Sequence, residues 1–295
     1  MSTQPASFRR VTIPSIMAAP AEGRRLVMVT ACDAPCGRAA DVAGVDIVLV
    51  GDSLAMVALG HPDTLSVTVD EMVHHTAAVA RGAHRALVIG DMPYLSYHTG
   101  WRDAVKNAGR FIREGRAQGV KLEGGRKRVD VIKALLDAEI PVMGHVGLTP
   151  QSAHLMGGFR VQGREADHAR DVFDDALALA GAGVFCVVLE GIPGELATAI
   201  TAELPVPTIG IGAGAGCDGQ VLVFHDLVGW SGPGPSPRFV RRYAELGRVA
   251  EEAIISFAGD VRAGRYPAAG ETYPTPESVR RWLMARKPGL GREEA

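Results

Sequence analysis

The sequence predicts a (β/α)8 TIM barrel, and two observations carry that expectation. Eight short apolar runs recur along the chain: "RLVMVTAC", "VDIVLVGD", "ALVIGDMP", "GVKLEGG", "PVMGHVGL", "VFCVVLEG", "PTIGIGAG" and "QVLVFHDLVG". They are continuously hydrophobic rather than alternating, as strands covered on both faces must be. Segments with helical spacing lie between several of them, and eight strands with intervening helices in about 250 residues is the size of such a barrel. A doubly wound sheet is the competing arrangement. It usually has fewer strands and a glycine-rich phosphate loop after the first, where this chain reads "ACDAPCG".

The elements follow in order. Asp33, ahead of "APCGRAADVAG", is the expected N-cap of the first helix between strands. Thr68 and Glu71 form a capping box before "MVHHTAAVARGA". Val129, Ile132, Leu135 and Leu136 make the apolar stripe of a helix after the fourth run. "EADHARDVFDDALALAGAG" ends in glycines, as helices tend to, and "PGELATAITAEL" opens with a proline near its first turn. After the eighth run comes a Gly/Pro/Ser loop, "WSGPGPSPRF", then an expected helix over "VRRYAELGRVAEEAIISFAGDVRAG" and a polar end with one short helical piece. One domain over residues 1–295 is expected, with an N-terminal extension over about 1–24 and a polar C-terminal tail over about 268–295.

Composition narrows the function classes. The chain has 295 residues, a formal net charge of −2, 47% hydrophobic and 22% charged residues. That is ordinary globular composition, without the basic stripe a nucleic-acid partner would call for. No apolar run reaches the length of a membrane span, and the N-terminus carries no continuous apolar segment of a secretory signal. A cytoplasmic protein without nucleic-acid or membrane partners is the expectation. The four cysteines, Cys32, Cys36, Cys186 and Cys217, are expected to be free thiols; the C-x3-C spacing of the first two matches neither a redox pair nor a familiar zinc pair.

Active sites of such barrels lie at the C-terminal ends of the strands, and there the runs turn charged. The second ends in Gly51-Asp52-Ser53 and the third in Gly90-Asp91. The fourth carries Lys121 and Glu123, the fifth His145, the sixth ends in Glu190, and the eighth carries His225 and Asp226. Any one has a bland explanation: a strand-end Asp as a helix cap, a His as a satisfied core residue. Asp52, Asp91, Glu123 and Glu190 on one rim, with Lys121 among them, are more economically read as one site. Carboxylates without a His/Cys cluster are hard oxygen donors and suit Mg²⁺. Asp52 and Asp91 can be direct ligands and Glu123 a ligand through water; a cation there would polarise a carbonyl. Lys121 could neutralise a substrate carboxylate or a developing enolate, leaving Glu190 as general base. The ingredients suit proton abstraction beside a polarised carbonyl, followed by carbon–carbon bond formation.

With those residues in place, the chain resembles the ketopantoate hydroxymethyltransferase family. The matching stretches include "VLVGDSLAMVALGHPDTLSVTVDEMVHHTAAVARGA", "GDMPYLSYHTG", "VKLEGG", "PVMGHVGLTPQSAHLMGGFRVQGR" and "PTIGIGAGAGCDGQVLVFHDLVG", between about Val27 and Pro267. The resemblance implies a (β/α)8 barrel, one Mg²⁺ and a homo-oligomer, decameric in many members. It implies transfer of a one-carbon unit from 5,10-methylenetetrahydrofolate to 3-methyl-2-oxobutanoate, giving 2-dehydropantoate on the route to pantothenate and coenzyme A. Asp52, Asp91 and Glu123 then correspond to the metal site, and Asp52, Ser53, Asp91 and Lys121 to the keto-acid contacts. Glu190 corresponds to the proton acceptor and His145 to a pocket histidine. Cys32 stands where the family usually has tyrosine, Gly191 where members often carry a bulkier residue, and "GETYPTP" where an acidic-histidine tail is usual. The first two departures motivate the alternative of a paralogue acting on another 2-oxo acid. A lyase or mutase of the phosphoenolpyruvate mutase and isocitrate lyase type is a third reading, without a matching lyase cysteine motif here.

Overall fold

The computed structural model describes residues 9–231 and 236–286. By contacts the chain divides into two compact units, one up to Ala244 and one from Glu245. The first holds a closed barrel of eight parallel strands in sequential order: β1 (Leu26–Thr30), β2 (Ile47–Val50), β3 (Leu87–Asp91), β4 (Gly119–Glu123), β5 (Val142–Gly147), β6 (Cys186–Glu190), β7 (Thr208–Ile211) and β8 (Gly219–Leu222). Pairing of β1 with β8, Leu26 opposite Gly219, closes the ring. The helices α1 (Ile13–Ala18), α2 (Ala34–Val42), α3 (Leu54–Val57), α4 (Val69–Gly82), α5 (Trp101–Arg113), α6 (Val129–Asp137), α7 (Ala153–Met156), α8 (Ala166–Ala182), α9 (Gly194–Glu203) and α10 (Phe224–Val228) belong to this unit. The second unit contributes α11 (Leu246–Arg262) and α12 (Glu277–Ala285). No helix among the described residues is long and apolar enough to cross a membrane.

The strands are apolar throughout because both faces are covered, and the period-two alternation sorts their side chains into two cores. One fills the barrel lumen: Leu26 and Met28, Ile47 and Leu49, Leu87 and Ile89. Met143, Val188 and Ile209 join them, and Val11, Ile16 and Ala19 from around α1 close the end where the strands begin. The other lies between strands and helices, where Val48, Val88, Val120 and Val142 meet Phe111, Leu135 and Leu179. Gly90 faces this outer layer, and any side chain there would run into the Phe111 ring of α5.

Local signals were honoured at several helix ends. The Asp33 side chain accepts the Cys36 N–H at 2.8 Å as the N-cap of α2. Thr68 and Glu71 cap α4 reciprocally, and α8 runs into left-handed Gly183 at φ 100°. All four cysteines are free thiols. Two expectations need correction. The eighth run splits: β8 stops at Leu222, and His225 and Asp226 sit on α10 rather than on the strand. The Phe224 N–H bonds the Thr30 hydroxyl at 3.1 Å and the Leu227 N–H bonds the Val223 carbonyl, so the backbone leaves the ladder. A short apolar run cannot distinguish strand from helix. The helix expected from Val240 begins only at Leu246. Part of the Gly/Pro/Ser loop, residues 232–235, and the end of the polar tail, residues 287–295, lie outside the described residues.

Candidate active site

Parity decides where the charges point. Ile89, Met143 and Val188 face the lumen, so the residues two further along, Asp91, His145 and Glu190, face it too, at the ends of their strands. Parallel register sets Asp91 beside Lys121 and Glu123 beside His145. One mouth of the barrel therefore collects two acids, a lysine and a histidine from three adjacent strands, with Glu190 on the next. Asp52 joins from the turn between β2 and α3. Asp52, Asp91, Lys121, Glu123 and His145 are each between 1% and 4% exposed. Beyond Glu123 the chain turns away at Gly124, whose φ of 113° favours glycine.

The contacts form one connected set. The Lys121 ammonium lies 2.8 Å from Asp91 Oδ1, 3.7 Å from Glu123 Oε1 and 3.3 Å from His145 Nδ1. His145 Nδ1 is 3.5 Å from Glu123 Oε1, and its Nε2 is 3.3 Å from Glu190 Oε2. The Asp52 N–H donates to Asp91 Oδ2 at 3.2 Å. Ser53 follows at the start of α3, where its side chain makes no capping bond.

The electrostatics follow from burying these charges together. Burial raises the Asp52 carboxyl well above its ordinary value, and the nearby Asp91 and Glu123 raise it further. Asp91 is also raised, burial outweighing the Lys121 ammonium. Glu123 is lowered: burial opposes its charge, but the His145 hydrogen bond and Lys121 prevail. Burial disfavours a charge on Lys121, yet Asp91, Glu123 and Asp52 hold its pKa above the ordinary value. Burial and the Lys121 ammonium likewise oppose protonation of His145, and Glu123 and Glu190 override them to hold it at about 9.

These residues fit a bound cation. Three buried carboxylates share one lysine, and the strain shows in Asp52. Asp91 Oδ1 faces the Lys121 ammonium at 2.8 Å, and Glu123 Oε1 has Lys121 and His145 at 3.7 and 3.5 Å; both oxygens are buried and each has a second lone pair with which to meet a cation. Oxygen donors of this kind suit a hard divalent ion. The three carboxylates are not gathered within 4.8 Å of one another; among the described residues that degree of convergence occurs only at Cys32, Asp33 and Cys36, beside the α2 N-terminus.

Of the residues singled out from sequence, Asp52, Asp91, Lys121, Glu123, His145 and Glu190 come into this one set; Ser53 adjoins it through the chain. Two residues were missed. Gln151 donates from Nε2 to Asp52 Oδ2 at 2.9 Å and to the Met92 carbonyl at 3.0 Å, and from its backbone N–H to Glu123 Oε2 at 3.0 Å. Tyr97 donates its hydroxyl to Gln151 Oε1 at 2.6 Å and accepts the Glu123 N–H at 3.2 Å. Tyr97 lies in a turn and Gln151 in the single 3-10 turn Pro150–Ser152, both too short for periodicity to mark a polar residue as buried; the stretches "GLTPQS" and "PYLSYHTG" that contain them were the available signal.

Residues 10–269 match the family described as ketopantoate hydroxymethyltransferase. The chain is 56% identical over 254 residues to the 3-methyl-2-oxobutanoate hydroxymethyltransferase of Nitratidesulfovibrio vulgaris (strain DP4), covering 86% of this chain and 82% of that protein. It is 52% identical over 279 residues to 3-methyl-2-oxobutanoate hydroxymethyltransferase 2 of Bradyrhizobium diazoefficiens, covering 95% and 94%. Among solved structures, a phosphonopyruvate hydrolase complexed with oxalate and Mg²⁺ matches with a TM-score of 0.57 at 13% identity, covering 92% of this chain and 95% of that one. At that identity the likeness speaks for the barrel alone. The family match and the identities above one half, each running through the strands that carry the acidic cluster, establish that this chain belongs to the ketopantoate hydroxymethyltransferase family.

Proposed function

We propose that this chain is a transferase that moves a hydroxymethyl group from 5,10-methylenetetrahydrofolate to 3-methyl-2-oxobutanoate, giving 2-dehydropantoate. Family membership supports the reaction, and one observation supports the division of labour. Glu190 stands on its own strand and, among the described residues, reaches the Asp52–Asp91–Glu123 set through His145. Asp52, Asp91 and Glu123 would hold the divalent cation, Mg²⁺ in this reading, which when bound polarises the 2-oxo group.

Glu190 removes the proton from C3 of the keto acid. The electron pair left on C3 delocalises toward the 2-oxo oxygen, where the Lys121 ammonium offsets the growing charge. Water adds to the donor's one-carbon unit and its C–N bonds break, releasing tetrahydrofolate and a formaldehyde-level carbonyl. C3 forms its new bond to that carbon, and the carbonyl oxygen takes back the proton held by Glu190 to become the hydroxyl. His145, with Nε2 facing the Glu190 carboxylate, fixes the orientation of the base. The low exposure of the cluster strengthens each of these interactions, since water does not screen them. In the same reading the protein is a cytoplasmic homo-oligomer, which sedimentation equilibrium of the purified chain checks.

The test is direct. Enzyme, Mg²⁺, 3-methyl-2-oxobutanoate and methylenetetrahydrofolate are mixed and 2-dehydropantoate is assayed, with a panel of 2-oxo acids compared by kcat/KM. A larger keto acid turning over in its place would reassign the substrate. Glu190→Gln is expected to lower kcat by about 10²–10⁴-fold, the usual worth of a general base, with keto-acid binding retained. Unchanged turnover would remove Glu190 from the base role.

A further inference from the structure

A cavity of about 610 Å³ opens beside the acidic cluster, with Glu123, Tyr97 and Gln151 on its inner wall. Part of the rest is apolar, lined by Val146, Leu155, Met156 and Val172. The chain that leaves β4 turns through Gly124 and Gly125 into a single 3-10 turn, Arg126–Arg128, which edges the cavity with cations. Arg126 is spent: it pairs with Asp171 and Asp175 at 2.8 Å each, and those aspartates also line the cavity. Arg128 is not. Its guanidinium lies 5.4 Å from the centre of the Tyr97 ring, no carboxylate among the described residues pairs with it, and its Nε is buried without a hydrogen-bond partner.

His98 repeats the pattern. Its ring stacks on Tyr97 at 4.2 Å between centroids and 35° between planes, with Tyr94 5.3 Å away, and its Nδ1 is buried without a partner. Burial first, and the Arg128 charge second, lower its pKa to about 4, so the ring is neutral at neutral pH and can donate from Nδ1–H. A cation and a neutral donor, both without partners on one wall of an otherwise partly apolar cavity, are complementary to an anionic group attached to a flat apolar body.

We propose that the Tyr97–His98–Arg128 wall is the subsite for the one-carbon donor, with a carboxylate of the donor held by Arg128 and His98 and its rings against Val146, Met156 and Val172. The assignment rests on the transferase reading, which supplies an acidic, ring-bearing donor that must approach the keto acid from beside Glu123.

The experiment titrates tetrahydrofolate into the full-length protein by calorimetry and, in parallel, measures KM for methylenetetrahydrofolate and for the keto acid. Arg128→Ala is expected to weaken tetrahydrofolate binding and to raise the donor KM by tenfold or more, with the keto-acid KM within twofold. Arg128→Lys should recover part of the loss, keeping the charge without the planar fork, and His98→Ala should show a smaller rise. Circular dichroism and the melting temperature establish that each variant is folded. Equal tetrahydrofolate affinity in Arg128→Ala and wild type overturns the subsite, as does a wild-type protein that binds no tetrahydrofolate. A wild type that binds tetrahydrofolate yet makes no 2-dehydropantoate overturns the transferase reading instead, and the titration still decides the subsite.

Discussion

A single amide side chain, Gln151, joins three parts of the candidate site. It donates to Asp52 and to the Met92 carbonyl, accepts from Tyr97, and presents its backbone N–H to Glu123. Only an amide offers both a donor and an acceptor in that span; a carboxylate would set a fourth negative charge against Asp52. Gln151→Ala would leave the Tyr97 hydroxyl and an Asp52 oxygen buried without this partner, a cost of about 1–3 kcal/mol. We expect the urea midpoint to fall accordingly and Mg²⁺ affinity, measured by calorimetry, to drop by about 10–100-fold, the usual effect of losing a residue that orients a ligand. Unchanged Mg²⁺ affinity in a folded variant would confine Gln151 to a structural role. Sequence showed the charged members of the set because a charge in an apolar run is conspicuous, as Lys121 and Glu123 are in "VKLEGG". It did not show Gln151 or Tyr97, because a neutral polar residue in a turn or a single 3-10 turn looks the same whether it is solvated or buried.

At the scale of elements, the joints between helices and strands were partly readable. The capping box at Thr68 and Glu71 is a local device with a fixed spacing, so it survives into the fold unchanged. Asp41, at the far end of α2, was invisible because its partners are more than forty residues away. Its Oδ1 accepts the Arg85 and Ala86 N–H groups at 2.9 and 2.7 Å and its Oδ2 that of His84 at 3.1 Å, which pins α2 to the segment entering β3. Burial raises its pKa, but the N–H donors of Ala86, His84 and Arg85 outweigh burial and leave the carboxyl below its ordinary value. A carboxyl depressed in the folded state adds stability that is fully present above its unfolded pKa of about 3.9 and is lost as pH falls through the folded value. Asp41→Asn would turn an N–H2 toward the His84 N–H and is expected to cost about 1–3 kcal/mol at pH 7. The gap between the variants should narrow as pH drops from about 5 downward. Urea unfolding at several pH values checks this, and a gap that stays constant into acid would show that the charge on Asp41 contributes nothing.

For the barrel as a whole, the two ends differ in character, and that difference was legible from where the charges fall along each run. The lumen is apolar where the strands begin, and acids, a lysine and a histidine face into it where they end. What the pattern of runs did not disclose was how the apolar end is closed. A hydrophobic residue in an N-terminal extension has no periodic partner to reveal its target, yet Ile16 on α1 is fully buried against the lumen layer. The Val11 N–H bonds the Arg85 carbonyl at 2.8 Å, which ties this extension to the start of β3. Ile16→Ala would open a cavity at the strand-start end, for which about 2–5 kcal/mol is the usual cost. Because conservation of shape at that end concerns stability while chemistry sits at the other, the melting temperature should fall by several degrees while kcat and both KM values, measured well below the transition, stay within twofold of wild type. A loss of kcat in a fully folded Ile16→Ala protein would mean that packing at the closed end sets the geometry of Asp91, Lys121 and Glu123, and that the barrel transmits strain along its length.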